Sequence, residues 1–342
     1  MKAWLKYLPG LLLALVVAGA SKYFESLMPV HLIGASVIAL FIGMAINSFA
    51  KPNEVTAPGI KFTSKKVLKL AIILLGASLN LNDILHVGRN SMAVMVFTLA
   101  TCFGLGYISG KLLGLNWKMS NLISAGTGIC GGSAIAAIAP VIEADDIDIA
   151  FGLSATFLFD MAMIVLFPIM GRLLGMSDVA YGMWAGTAVN DTSSVVAAGY
   201  AFSEAAGDYA TIVKLTRTLA IIPTVIIFAL VNIRLKKKAS GAAAGEKVKI
   251  NIKSVFPWFI LGFLAMAALN SFGLIPAAVG VAMKNISKFL MVAALAAIGM
   301  NTSFRDMKKA GPAPMLHGFI ISLLVVLVAY GVIWGEGMLG ML

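Results

Sequence analysis

Long apolar runs, separated by short polar connectors, occupy almost the whole chain. They predict membrane segments at about 7–24, 30–48, 66–84, 91–114, 118–142, 148–174, 180–203, 209–233, 255–272, 285–304 and 313–337, because a helix needs about 20 apolar residues to cross a bilayer. Lipid offers no hydrogen bonds, so spanning backbone must satisfy itself as helix or closed barrel. The runs are continuous rather than alternating, which excludes a barrel. The expected fold is an all-α polytopic membrane protein of about eleven membrane segments.

Two runs, 118–142 and 180–203, are polar where the others are apolar. Residues 126–140 read GTGICGGSAIAAIAP and residues 186–200 read GTAVNDTSSVVAAGY. At a constant offset of 60, Gly126/Gly186, Thr127/Thr187, Ser133/Ser193 and Ala137/Ala197 pair identically. Gly126, Gly128, Gly131 and Gly132 each cost a helix about 1 kcal/mol relative to Ala. The copy carries Asn190, Asp191 and Thr192 in this stretch. Close helix packing would keep such positions small; a change to polar residues predicts unwound backbone facing a cavity. A second match, at offset 223, sets LGASLNLNDI (75–84) against IGMNTSFRDM (298–307), with Ala45/Ala268 and Asn47/Asn270 in register. Paired interruptions and internal repeats of opposite direction mark secondary transporters. Two topologies stay open: eleven segments with the fifth and seventh broken, which leaves those two parallel, or nine spans plus two re-entrant elements, which makes them inverted.

Composition agrees with a membrane class. Of 342 residues, 60% are hydrophobic and 12% charged, against about 25% charged in soluble domains. The net charge of +11 sits mostly in short loops, so it sets orientation and does not call for nucleic acid. Lys51, Lys61, Lys65 and Lys66 in the connector 49–66, the basic stretch 236–254 opening with Lys236-Lys237-Lys238, and Arg305, Lys308 and Lys309 are expected inside. The N-terminus is then cytoplasmic and the C-terminus outside. The chain divides into a first membrane segment (1–29), a helix group holding both broken segments (30–235), a basic linker (236–254) and a C-terminal helix group (255–342), all within one transporter unit. Lys2 and Lys6 precede LPGLLLALVVAGA, a pattern like a signal peptide; a retained first helix is expected, because further segments follow.

The two cysteines, Cys102 and Cys130, form no metal or disulfide pattern, and His31, His86 and His317 are scattered near segment ends. No resident metal or cofactor is expected. No Gly-x-Ser-x-Gly turn, HExxH or Walker motif occurs, so neither an enzyme nor an ATP-driven pump is indicated. Asp160, Asp191, Lys214 and Arg217 lie inside apolar segments, where charges are costly and are functional candidates. Asp160 or Asp191 is expected to bind a proton or Na⁺. Arg217 is expected to face an anion, and Lys214 either joins it or snorkels. A purely structural ion pair between these segments is the plain alternative. Broken-helix N-termini favour anions, so Thr127, Gly128, Cys130, Gly131, Gly132, Ser133, Thr187, Asn190, Thr192, Ser193 and Ser194 complete the candidate binding set. Asn80, Asn82, Asp83, Asn301, Thr302, Ser303 and Asp306 read as helix caps, and Pro140, Pro168 and Pro223 as kinks.

At GTGICGGSAIAAIAPVI, GLSATFLFD and WAGTAVNDTSSVVAAG, the chain resembles the YeiH-type family of bacterial membrane proteins, often described as sulfate exporters. The resemblance runs from about residue 30 to the end and implies an inner-membrane protein of roughly ten helices. More distantly, the order of elements is similar to bile-acid/sodium symporters and cation/proton antiporters. That likeness implies a panel domain, a core with crossed broken helices, and dimerisation. It makes Thr127–Ser133 and Thr187–Ser194 the crossover, Asp160 the ion-binding acid, and Lys214 or Arg217 its basic partner. Phe159 and Met161 flank Asp160, so the paired acids of the antiporters are absent.

The expected function is secondary transport of a small anion, such as sulfate, a sulfonate or a carboxylate, by alternating access coupled to H⁺ or Na⁺. A cation/proton antiporter of the same architecture is one alternative. A membrane sensor that binds a ligand without transporting it is another.

Overall fold

The computed structural model describes residues 6–27, 35–240, 258–302 and 312–338, and these are helical with no strand. The helices run α1 Leu8–Leu27, α2 Ala35–Phe49, α3 Ala57–Phe62, a π turn Thr63–Val67, α4 Leu68–Gly76, α5 Leu81–Asn90 and α6 Met92–Leu112. Then come α7 Trp117–Ala125, a π turn Gly126–Cys130, α8 Gly132–Ile142, α9 Asp146–Leu173, α10 Asp178–Ala188 and α11 Thr192–Phe202. The chain continues through α12 Glu204–Thr218, α13 Ile221–Ser240, α14 Trp258–Ser271, α15 Ala277–Met300 and α16 Pro312–Met338.

Among the described residues, six helices are long and apolar enough to cross a membrane, or up to seven if one bent pair is counted as a span. That is fewer than the eleven expected segments. The difference has local causes. The expected segments at 118–142 and 180–203 are each divided into two short helices. The apolar stretches of α2 and α14 are short, Val37–Phe49 and Trp258–Ser271. The expected connector 49–66 is largely helical: Pro58 stands at the start of α3, where a missing N–H costs nothing. That helix continues to Gly76, and α5 then departs at 109°. Asn80 caps α5 by accepting from the amide of Asn82 at 2.8 Å. Lys236, Lys237 and Lys238 lie at the end of α13. Residues 241–254 of the basic linker, His31, Ser303, Arg305, Asp306, Lys308 and Lys309 fall outside the described residues.

The helices pack as two bodies. In one, α15 lies against α1, α2 and α4, with α14 on α4. Gly43 and Gly299 let α2 and α15 approach so closely that a Cβ on either would strike backbone of the other helix. Ser287 fastens α15 to α4 through the Ala71 carbonyl at 2.6 Å. The second body contains α6 to α13 and α16. Its core holds Trp184, whose indole donates to Val326 O at 2.9 Å and packs 4.2 Å from the Phe167 ring. The C-terminal α16 therefore belongs with the broken helices, while α14 and α15 belong with α1 to α4.

Apolar side chains join the bodies. Val37, Leu40, Met44 and Leu295 meet Met161, Ile164, Ala197 and Ala201. Ion pairs join them too: Lys284 of α15 contacts Asp208 of α12 at 2.5 Å, and Lys288 contacts Glu204 at 2.7 Å. Tyr200 donates to the other oxygen of Asp208 at 2.5 Å.

Candidate site at the crossing of two broken helices

The first interruption begins with a π turn. The Gly131 amide reaches back to Gly126 O at 2.8 Å, so the carbonyls of Thr127 and Ile129 are turned toward other partners. Gly131 then takes φ 63°, ψ −132°, a conformation closed to residues with a Cβ. The second interruption is extended backbone: Val189 has φ −77°, ψ 137° and Asp191 has φ −87°, ψ 148°. There α10 stops and α11 starts.

Four charged side chains satisfy the backbone these breaks release. Asp160, from the middle of α9, accepts the Asn190 amide at 2.9 Å and the Asp191 amide at 3.0 Å, one on each oxygen. Asp191 caps α11 by accepting the Ser193 amide at 2.8 Å, and it also accepts the Ser193 hydroxyl. Lys214 Nζ donates to Ile129 O at 2.7 Å and to Val189 O at 2.9 Å. Arg217, nearly one helical turn further along α12, donates from Nη2 to Thr127 O at 2.7 Å and from Nη1 to Val189 O at 3.4 Å. Carboxylates thus stand at freed amides and cations at freed carbonyls, as helix-terminal charges demand.

Asp160 is 1% exposed, and Lys214 and Arg217 are fully buried. Unpaired charges at such depth are not sustainable. The compensation is backbone rather than a direct pair: the carboxylate of Asp160 meets two amides, and the cations meet carbonyls. This arrangement also means that Lys214 does not reach for the membrane surface.

The remaining candidates separate by surroundings. Thr127, Cys130, Thr187, Asn190, Ser193 and Ser194 are buried. The Thr187 hydroxyl is bonded within its own helix, to Met183 O at 2.7 Å. Gly131 touches Asp191 across the crossing, and Gly128 faces Cys102. Asp191, Thr192 and Gly132 are half-buried, and Ser133 is exposed. Three buried polar atoms here have no partner: Thr127 Oγ1, Asn190 Oδ1 and Arg217 Nε. Among the described residues, no cluster of three His, Cys, Asp or Glu side chains could hold a metal ion.

A second polar cluster was not singled out from sequence. His317 of α16 is buried between Ser109 and Ser120, at 3.0 Å and 3.2 Å. No local sequence signal marks it, because its partners lie 208 and 197 positions away along the chain.

Residues 9–318 match the family model described as conserved hypothetical protein 698. A "UPF0324 membrane protein" of Clostridium tetani is 55% identical over 331 residues, covering 95% of this chain and 96% of that one. Relatives with the same description in Streptococcus pyogenes serotype M6 and Streptococcus mutans are 40% and 38% identical, covering 96% and 95% of this chain and 97% and 96% of theirs. The chain belongs to this family of membrane proteins, the YeiH-type family that its motifs resemble.

Proposed function

We propose that this protein is a secondary active transporter that moves a small anion through the crossing of its two broken helices. The carrying observation is the convergence, at one buried point, of both helix breaks with two carboxylates and two cations. With Asp160 and Asp191 ionised, Lys214 and Arg217 balance them. Protonating Asp160 removes one negative charge and weakens its hold on the amides of Asn190 and Asp191. A small oxyanion, such as sulfate, a sulfonate or a carboxylate, can then take an amide, with Thr127 Oγ1 and Arg217 Nε as further donors. One proton and one anion thereby favour each other's binding. Alternating access follows if the body bearing the crossing moves against the α1–α4, α14 and α15 body. The proposed setting is the bacterial inner membrane, with the N-terminus cytoplasmic and the C-terminus outside.

A cation/proton antiporter is the second reading. It is favoured by the α11 N-terminus, where Asp160 and Asp191 already occupy the amides that an anion would seek. In that version Asp191, half-exposed, takes Na⁺ or a proton in turn.

Flux of radiolabelled sulfate, an alkylsulfonate and a dicarboxylate into proteoliposomes, under imposed H⁺ and Na⁺ gradients, separates the two readings. Gradient-driven uptake of any of these anions is expected. Cation exchange with no anion movement selects the antiporter, and no flux of either kind overturns the carrier.

A further inference from the structure

A file of hydroxyls leads away from the crossing. Ser120, Ser124 and Thr127 lie on one face of α7 and its π turn. The helix α6 meets this face with glycines. A Cβ on Gly110 would stand 2.7 Å from Ser120 Cβ, and one on Gly106 would stand 3.3 Å from Ser124 Cβ. The third wall is α16: the same two positions are 3.3 Å from His317 Cε1 and 3.2 Å from Ile321 Cδ1. His317 is fully buried. Its Nδ1 lies 3.0 Å from Ser109 Oγ, and its Nε2 lies 3.2 Å from Ser120 Oγ. Each ring nitrogen therefore has a hydroxyl able to give or take a proton.

Beyond Ser120 the file is polar but unpaired. Ser124 Oγ and Thr127 Oγ1 are buried with no partner, as are Asn190 Oδ1 and Arg217 Nε at the crossing. A buried hydroxyl without a hydrogen bond costs about 1–3 kcal/mol, and an internal water is its ordinary partner. Thr156 places this end near the acid: a Cβ on Gly126, next to Thr127, would stand 2.7 Å from Thr156 Cγ2. Its carbonyl faces Asn190 Nδ2 at 3.5 Å, it lies one turn before Asp160 on α9, and Asn190 donates to Asp160.

We propose that His317, Ser120, Ser124 and Thr127, with water at the two unpaired hydroxyls, form a proton path from one membrane face to Asp160. The face is the one where α6 ends and α7 and α16 begin. The proposal rests on the proton-coupled carrier reading. Ser109 takes a proton from the solvent side and gives one to His317 Nδ1, and Nε2 gives its proton to Ser120. Each hydroxyl or water accepts one proton and passes one on, and the Asp160 carboxylate takes the last. The net change is one proton moved from solvent to carboxylate. Charged groups at this end do not interrupt the file. Lys111 on α6 is exposed, Lys118 on α7 donates to Glu143 O at 2.5 Å, and Asp148 on α9 is held by Asn116 at 2.8 Å. Beside the inner end of the file stand Cys102, opposite Gly128, Arg217, which donates to Thr127 O, and Lys214, which donates to Ile129 O.

The test follows the carboxylic-acid C=O stretch by infrared spectroscopy after a rapid pH drop, using the full chain in lipid nanodiscs, with the band assigned by its loss in Asp160→Asn. His317→Gln keeps a donor and an acceptor for the two serines but carries no proton. It is expected to slow the band's appearance at least tenfold without changing its final size. Ser124→Ala is expected to slow it less, and it carries the test if His317→Gln does not fold. Unchanged rates in both folded variants overturn the path. Absence of any Asp160 band in the unmodified protein overturns both the path and coupling through Asp160. A normal band with His317-dependent kinetics, in a protein that moves no anion in the flux assay, leaves the path standing and removes the anion carrier.

Discussion

Gly131 lies against Asp191: a Cβ built on the glycine would stand 3.1 Å from both Cβ and Oδ1 of the aspartate. The two breaks therefore touch through the position with no side chain. That glycine also holds φ 63°, so substitution meets strain and contact together. Gly131→Ala is expected to lower stability by about 1–3 kcal/mol from backbone strain alone. Thermal unfolding in detergent reads this loss. An equal melting temperature would mean that the break relaxes freely and that the contact carries no constraint.

Asp160→Asn tests the coupling step. The amide side chain keeps one acceptor oxygen but turns an NH₂ toward a backbone donor, imitating the protonated acid. Anion binding to the unmodified protein is expected to tighten as pH falls, because protonation removes a competing negative charge. In Asp160→Asn, binding should persist and lose this pH dependence. Isothermal titration with sulfate at several pH values distinguishes the two. The same variant leaves one amide unpaired, and about 1–3 kcal/mol of stability should go with it.

The cations have unequal duties. Lys214 holds Ile129 O and shares Val189 O with Arg217, while Arg217 alone reaches Thr127 O. Lys214→Met leaves a buried carbonyl orphaned and should destabilise by about 1–3 kcal/mol. Arg217→Ala should do the same and, in addition, abolish stabilisation by anions, since Nε is the donor left open. A thermal-shift screen with and without sulfate measures both effects. Anion stabilisation that survives Arg217→Ala removes the arginine from the binding site.

Sequence showed these charges but not their partners. Gly131, Asn190 and Asp191 announced the breaks, because those residue types cannot continue an apolar helix cheaply. An apolar run bearing an acid or a base announces a functional residue in the same way. Which backbone groups the breaks would release depends on a π turn at Gly126–Cys130 and on extended geometry at Val189, neither of which has a residue signature. The expected meeting of carboxylate and cation was thus replaced by contacts to carbonyls and amides. His317 was harder still: its serines come from helices 197 and 208 positions away. The segment boundary at 66 failed for another reason. Lysines on a helix and lysines in a loop look alike in composition, and Lys61, Lys65 and Lys66 lie on the helix that Pro58 begins.

Cys130 offers a reporter for motion at the crossing. It is 1% exposed and Cys102 is fully buried. In the arrangement described, a membrane-permeant maleimide should label neither. An alternating carrier has to open the crossing, so Cys130 should gain reactivity when sulfate is added at low pH, while Cys102, behind Gly128, stays inert. Mass spectrometry of the intact protein and of Cys102→Ala assigns the label. Equal inertness of Cys130 under all conditions would argue against an opening on that side.

The two ion pairs between the helix bodies should resist that opening to different degrees. Glu204 is 75% exposed, so its pair with Lys288 is worth about 0–1 kcal/mol and is screened by salt. Asp208 is 14% exposed and also takes the Tyr200 hydroxyl, so removing Lys284 leaves a shielded carboxylate with one neutral partner. Lys288→Ala is therefore expected to change melting temperature little. Lys284→Met should lower it clearly, and Lys284→Met combined with Asp208→Asn should recover part of the loss, because the stranded charge is gone. If the pairs clasp one state of an alternating cycle, the double variant should also raise Cys130 labelling without added anion. Labelling that stays unchanged while stability falls would make these pairs structural only.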